Sequence, residues 1–221
     1  MLTLEQGPSA QLRPPMIGDP APNFFARTTL GERSIQFFEG RWLVFFSHPA
    51  DFTPVCTSEL IDFANASSAF EAINCDLMAL SVDSLFAHLA WIRSLETDFG
   101  VNINFPIVED ASMTVARAYG MIHSASSDTT TVRATYVIDP VGIIRAILWY
   151  PLTTGRNIDE ILRLVKALQL NTEIDMPTPA GWREGDDVLV PAPLTANEMR
   201  KSANGAVWYF RKAKQNSGKK K

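Results

Sequence analysis

The sequence predicts an α/β fold, a central mixed sheet flanked by helices, continued by an extended C-terminal arm. Three observations lead there. Short, wholly apolar runs alternate with segments whose apolar residues recur at helical spacing. Two later strands flank a tight turn, which adds an antiparallel hairpin to a strand–helix–strand chain. From about Asn171, the residues Pro177, Pro179, Pro191 and Pro193 interrupt any regular pattern.

Each element has its own justification. Pro8, Pro14, Pro15, Pro20 and Pro22 make the first stretch an extended arm. Trp42 to Ser47 (WLVFFS) is a short apolar run, as expected of a strand buried on both faces. The following HPADFTP holds two prolines and is predicted to be a loop. Thr53 then serves as N-cap with Pro54 at the first helical position. Leu60, Phe63 and Phe70 continue that helix for about 14 residues. Asp76 to Asp83 is a second strand, and Ser84 caps a helix carrying Phe86, Leu89, Trp91, Ile92 and Leu95. Phe105 to Val108 is a short strand and Met113 to Tyr119 a short helix. Thr135 to Ile138 and Ile143 to Trp149 flank the turn Asp139-Pro140-Val141-Gly142. Asn157 caps a helix with Ile158, Ile161, Leu162, Val165 and Leu168 on one face. This is the element order of a thioredoxin-like domain. Beyond it, only Ala196 to Ser202 is predicted helical. The expected division is an N-terminal arm over 1–16, the domain over 17–170, a C-terminal arm over 171–215 and a disordered basic tail over 216–221.

Of 221 residues, 46% are hydrophobic and 20% charged, enough for a core that needs no disulfide staple. The net charge of −4 is uneven. Residues 200–221 hold eight Lys/Arg and no Asp/Glu, so the remainder carries −12. An acidic body argues against general nucleic-acid binding, and the basic end reads as a solvated tail. There is no secretory pattern at the N-terminus and no apolar run of the roughly 18–20 residues a membrane helix needs. Cys56 and Cys75 are too few for a disulfide framework. These features point to a reducing compartment, the cytoplasm, and to no membrane partner.

Cys56 is where the sequence becomes chemical. With Thr53 as N-cap, it is the third helical residue, among backbone N–H groups that lack a helical partner. Those donors and the helix dipole favour a thiolate, the nucleophilic form of cysteine. A thiolate there can attack one peroxide oxygen and become a sulfenic acid. Fixed donors around the developing charge, including a cation, would speed that step. Arg133, in Thr131-Val132-Arg133-Ala134 immediately before a strand, is the candidate cation.

Pro49-Ala50-Asp51-Phe52-Thr53-Pro54-Val55-Cys56 resembles the signature of the peroxiredoxins of the AhpC/TSA family. His48, Thr57-Ser58-Glu59-Leu60, Leu80-Ser81-Val82-Asp83-Ser84, Asn104-Phe105-Pro106-Ile107 and Thr154-Gly155-Arg156-Asn157 match as well. The resemblance runs from about Ile17 to Leu194. It implies a thiol-dependent peroxidase that converts hydrogen peroxide and organic hydroperoxides to water or alcohols, in antioxidant defence. It implies Cys56 as peroxidatic cysteine, Pro49 shielding it, Thr53 hydrogen-bonding peroxide and sulfur, and Arg133 favouring the thiolate and holding substrate. His48, Glu59 and Arg156 would support them. The long arm is similar to that of the one-cysteine branch, which forms homodimers, with a ring of dimers as a further family expectation. No cysteine stands near Val207-Trp208-Tyr209-Phe210, where some relatives carry a resolving one. The sulfenic acid would then be reduced by an external thiol of thioredoxin, glutaredoxin or glutathione type, or by a small thiol. A Gly-x-Ser-x-Gly lipase pattern is absent from Gly31-Glu32-Arg33-Ser34-Ile35, and that activity is not carried over.

Other readings are weaker. Cys75 should lie a helix length away, roughly 20 Å, too far for a disulfide within the subunit, and reads as a buried apolar residue. His48, His88 and His123 lack the close spacing of a zinc site, so no metal is expected, and nothing resembles a phosphate-binding loop, so no cofactor is expected. Trp91, Trp149, Trp182 and Trp208 mark core or interface. A disulfide oxidoreductase fails for want of a Cys-x-x-Cys pair. A chaperone-like oligomer, motivated by the aromatic content and the arm, is the alternative from another class.

Overall fold

The computed structural model describes residues 13–122, 130–202 and 207–215. The first twelve residues of the predicted N-terminal arm, His123 and the predicted tail over 216–221 lie outside them. The chain forms two compact units, one up to Ile158 and one from Asp159.

The first unit is built on a mixed sheet of seven strands. These are β1 (Phe25–Thr28), β2 (Gly31–Ser34), β3 (Trp42–Ser47), β4 (Cys75–Ser81), β5 (Ile107–Glu109), β6 (Arg133–Ile138) and β7 (Ile144–Tyr150). Their order is β2-β1-β5-β4-β3-β6-β7. The pairs β3–β4 and β4–β5 are parallel, and the remaining neighbours are antiparallel. Helices α1 (Pro54–Ala72), α2 (Leu85–Phe99) and α3 (Thr114–Ala118) form the connections. This is the mixed sheet with flanking helices that the sequence predicts, in the thioredoxin-like arrangement.

Strand β3 is buried along its whole length, which explains its continuous apolar run. Alternation sends successive residues to opposite faces. Phe45 joins Phe24, Tyr119 and Tyr136 on one face, with Phe45 and Tyr119 edge to face at 4.9 Å. Phe46 stacks on Phe63 of α1 at 3.9 Å on the other. The Tyr136 hydroxyl donates to the Tyr119 carbonyl, so both aromatic bodies are buried with their polar tips satisfied.

Several boundaries differ from expectation. The hairpin β1–β2 falls in a stretch for which the sequence predicted no element, and its four-residue strands are too short and too polar to show a period. Helix α1 runs 19 residues, β4 begins at Cys75, and β6 begins at Arg133, which is therefore inside the strand. Ser84 caps α2 as predicted, accepting from the Ala87 N–H at 3.3 Å. On that helix Trp91 and Leu95 are buried while Phe86 and Leu89 are exposed, because its inward face is narrower than its apolar content suggests. Trp149 is half exposed.

The second unit contains α4 (Ile158–Ile174) from its second residue, the two-stranded sheet of β8 (Val188–Val190) and β9 (Arg211–Ala213), and α5 (Ala196–Ser202). Helix α5 matches expectation, and the β8–β9 pair, of three residues each, was not legible in the sequence. No helix among the described residues is long and apolar enough to cross a membrane.

Candidate active site

The site forms where β3 ends and β6 begins. Antiparallel pairing sets Phe46 opposite Thr135, and continuing that register brings position 133 across from position 48. Side chains secure the ends where the ladder stops. Ser47 Oγ donates to the Val132 carbonyl at 2.5 Å and accepts from the Ala134 N–H at 3.2 Å. Thr131 Oγ1 donates to the His48 carbonyl at 2.7 Å.

From Ser47 the chain turns through Pro49 to Thr53 into α1. Thr53 has the extended backbone of an N-cap and Pro54 begins the helix, as predicted. Its hydroxyl does not cap, however. Thr53 Oγ1 donates to the Ala50 carbonyl at 2.9 Å, closing the loop on itself and leaving an acceptor for the pocket. Phe52 holds φ 58°, a left-handed conformation that costs a bulky residue about 1–3 kcal/mol. Pro49 is buried.

Cys56 and Glu59 are three residues apart and therefore share one face of α1. That face meets Arg133 and Arg156, and all four side chains belong to residues no more than 5% exposed. Arg133 Nη1 donates to Cys56 Sγ at 3.4 Å and to Glu59 Oε2 at 2.7 Å. Its Nε and Nη2 both donate to the Leu152 carbonyl, at 3.0 and 2.9 Å, which fixes the plane of the guanidinium. Arg156 gives Glu59 its backbone N–H, Nε and Nη2 at 2.8, 2.9 and 2.7 Å. Its Nη1 reaches the Ala134 carbonyl and Thr135 Oγ1. Glu59 thus accepts four charge-assisted hydrogen bonds, about its full capacity.

Electrostatics follow from this wiring. Burial pushes the Glu59 carboxyl up, but Arg156 and then Arg133 outweigh it and hold the group below the ordinary carboxylate range. Burial lowers Arg156, opposed mainly by Glu59. Two guanidiniums face one carboxylate, which leaves one positive charge uncompensated beside the sulfur.

His48 lies at the end of β3, and its Nε2 is 2.8 Å from Asp51 Oδ1. Asp51 Oδ2 is 2.7 Å from His88 Nδ1 on α2. Burial holds His48 below its ordinary value, against the pull of Asp51. His48, Asp51 and Asp83 bring possible metal-ligand atoms within 4.8 Å of one another. The 2.8 Å His48–Asp51 separation is a hydrogen bond, shorter than the roughly 3.3 Å between two ligands of a tetrahedral zinc.

Cys56, Glu59, Arg133 and Arg156 are therefore brought into one hydrogen-bonded cluster. Thr53 and Pro49 line the loop leading to it, and His48 joins a second, neighbouring cluster. Sequence reasoning missed Asp51, although it lies inside the quoted octapeptide. It also missed His88, an ordinary-looking helical residue, and the Leu152 carbonyl, for which no side-chain signal exists.

Residues 17–147 match the AhpC/TSA family, and residues 167–203 match the C-terminal domain of 1-Cys peroxiredoxin. A peroxiredoxin of Aquifex aeolicus is 47% identical over 217 residues, spanning 90% of this chain and 97% of that one. One from Methanosarcina mazei is 45% identical over 195 residues, spanning 84% and 88%. The yeast mitochondrial 1-Cys peroxiredoxin, studied for thiol resolution through glutathione and thioredoxin systems, aligns with a TM-score of 0.81 at 38% identity, covering 90% of this chain and 99% of its own. Peroxiredoxin 6 of Arenicola marina aligns with a TM-score of 0.80 at 32% identity, covering 91% and 98%. On these identities, and with its first unit matched almost throughout, the chain belongs to the AhpC/TSA family of peroxiredoxins and carries the C-terminal domain of the 1-Cys type.

Proposed function

We propose that Cys56 is the nucleophile of this thiol-dependent peroxidase, and the Arg133 N–H directed at its sulfur is the observation that carries the reading. The thiolate attacks the hydroxyl oxygen of a hydroperoxide. The S–O bond forms as the O–O bond breaks, and the bonding pair leaves on the second oxygen. That oxygen takes up a proton and departs as an alcohol, or as water from hydrogen peroxide. The sulfur, oxidised by two electrons, is left as a sulfenic acid.

Arg133 stabilises the negative charge spread over sulfur and oxygens in the transition state. Glu59, Arg156 and the Leu152 carbonyl hold its guanidinium in place. Thr53 Oγ1, its proton given to Ala50, accepts from the hydroperoxide O–H and orients it. Pro49 and His48 wall the pocket and exclude water.

An external thiol completes the cycle. Its thiolate attacks the oxidised sulfur, the S–O bond breaks, the departing hydroxide takes up a proton to become water, and a second thiol resolves the mixed disulfide. Cys75 is a poor resolving group: it pairs with Trp42 at the start of β3, about 16 Å of strand from the end where Cys56 follows. Glutathione- and thioredoxin-type donors fit the reading best, as for the yeast relative. The domain over 17–170 houses this chemistry, and the arm over 171–215 serves a homodimer. Val207, Trp208, Tyr209 and Phe210 are 52%, 36%, 66% and 55% exposed, which supports burial of that stretch on a second copy. Two free cysteines support a reducing compartment, for which we favour the cytoplasm.

The decisive experiment measures peroxide turnover with a panel of thiol reductants, alongside mass spectrometry of the cysteine peptides. Cys56→Ser should abolish turnover, and peroxide should add oxygen to Cys56. Undiminished peroxide consumption by Cys56→Ser would remove the assignment. Light scattering that finds only a 24.5 kDa species would remove the dimer.

A further inference from the structure

Beside the Cys56 cluster lies a buried assembly of which the mechanism above uses only His48, as a wall of the pocket. Asp51 is clamped between two imidazoles, His48 Nε2 at 2.8 Å and His88 Nδ1 at 2.7 Å. Its backbone N–H donates to Asp83 Oδ2 at 2.9 Å, and that oxygen also accepts from Ser81 Oγ at 2.8 Å. His48 and His88 are 1% and 0% exposed. A carboxylate and two imidazoles are a costly way to fill a core where apolar side chains would pack as well, so their arrangement calls for a reason other than stability.

The loop from Pro49 to Thr53 supplies that reason. It carries Pro49, Thr53 and the left-handed Phe52, yet Asp51 makes its anchoring bonds to the body of the domain. His48 is itself part of the approach to the loop, whereas His88 comes from α2, a separate element. Burial pushes the Asp51 carboxyl up, but His48 and His88 outweigh it and keep it below its ordinary value, so the clamp is ionised at neutral pH. Both imidazoles must then donate to it, which places the His88 proton on Nδ1.

We infer that His88, acting through Asp51, is a positioning residue for the peroxide reaction: it fixes the loop that sets Pro49 and Thr53 around Cys56. This rests on Cys56 as nucleophile. It goes beyond that assignment by making a residue of α2, with no contact to the sulfur cluster, a determinant of rate. An N–H donor at the Nδ1 position is what the clamp requires. His88 Nε2 has no partner among the described residues, so a shorter side chain that keeps the donor should suffice.

The test compares His88→Leu and His88→Asn by the rate constant of Cys56 oxidation by hydrogen peroxide in a single turnover, with melting temperature measured in parallel. His88→Leu should slow oxidation at least about tenfold per folded molecule, a barrier change of about 1.4 kcal/mol. His88→Asn should stay within about threefold of wild type, because its amide N–H reaches Asp51. A structural role alone would lower the melting temperature of His88→Leu and leave its rate constant unchanged, and that result overturns the inference. So does a His88→Asn rate as low as that of His88→Leu. If His88→Leu does not fold, Asp83→Ala decides. It frees the Asp51 N–H from a half-buried position, and a wild-type rate constant there overturns the inference while a slowed one supports it. Cys56→Ser, run beside them, separates the two readings, since only failure of the nucleophile assignment leaves its peroxide consumption intact.

Discussion

Replacing Arg133 by methionine isolates the cation without emptying the space it fills. At 3.4 Å and an effective dielectric of about 20, a full positive and a full negative charge attract by roughly 5 kcal/mol. That is a ceiling, because the guanidinium charge is delocalised and the attraction already exists before reaction. Only the share that grows as charge spreads over sulfur and oxygens enters the rate. Fixed donors aimed at developing charge contribute about 2.7–4 kcal/mol, so Arg133→Met should slow oxidation of Cys56 about 100- to 1000-fold.

The same substitution should cost the fold little. Glu59 keeps its three bonds from Arg156, and the resulting pair is neutral. The Leu152 carbonyl loses two donors, a penalty of about 1–3 kcal/mol. For a chain of this size that lowers the melting temperature by roughly 2–4 °C per kcal/mol. Rapid-quench oxidation by hydrogen peroxide with peptide mass spectrometry gives the rate, and calorimetry gives the stability. A folded Arg133→Met that oxidises within about tenfold of wild type would refute the role of the cation, because the electrostatic share would then be under about 1.4 kcal/mol.

The other predictions are narrower. Cys75→Ala should turn over within about twofold of wild type, because its thiol is buried and pushed up to about 12, by burial first and then by Asp76. Peroxide-derived oxygen on Cys75 at a rate comparable to Cys56 would contradict this. Glu59→Gln leaves two buried guanidiniums without their carboxylate partner and should destabilise the protein by about 3–5 kcal/mol in urea unfolding at neutral pH. Because Glu59 titrates below its ordinary 4.5, its contribution is present above that value and lost as pH falls through the folded one. The variant should lack that part of the acid limb, and an unchanged limb would count against the assignment. His48 is also depressed, from an ordinary 6.5, but as a base it works the other way round. The unfolded chain takes its proton first, so stability falls as pH drops below 6.5 and levels off once the folded group is protonated. His48→Asn should flatten the urea midpoint in that window, and a midpoint that still falls there would count against a neutral buried His48.

Legibility in the sequence followed locality. The apolar run of β3, the proline that opens α1 and the hairpin turn before β7 are each set by a few adjacent residues, and each was read correctly. The position of Cys56 at the third helical residue is of the same kind. Arg133 could be singled out because a charge at the start of a buried strand is costly without a partner. Its partners could not be read from spacing, since Glu59 and Arg156 meet it only when helix, strand and loop are folded together. The same holds for His88, whose helical neighbours give no hint that Asp51 lies beside it. Thr53 shows a finer limit. Its backbone was legible as an N-cap, but the hydroxyl donates to the Ala50 carbonyl and accepts from no helix N–H.

The charge count of the site ties fold to chemistry. Register delivers Arg133 to the edge of β3, helical spacing delivers Glu59 beneath Cys56, and the loop before α4 delivers Arg156. Two cations and one anion leave a buried site one negative charge short of neutrality. The thiolate that the proposed reaction requires of Cys56 would supply it. Reaction with peroxide converts that sulfur to a neutral sulfenic acid, and the imbalance returns. The oxidised site then favours the approach of an anion, and the thiolate of an external reductant is one. On the function proposed above, a single excess guanidinium serves both half-reactions, first by holding the thiolate and then by drawing in its successor.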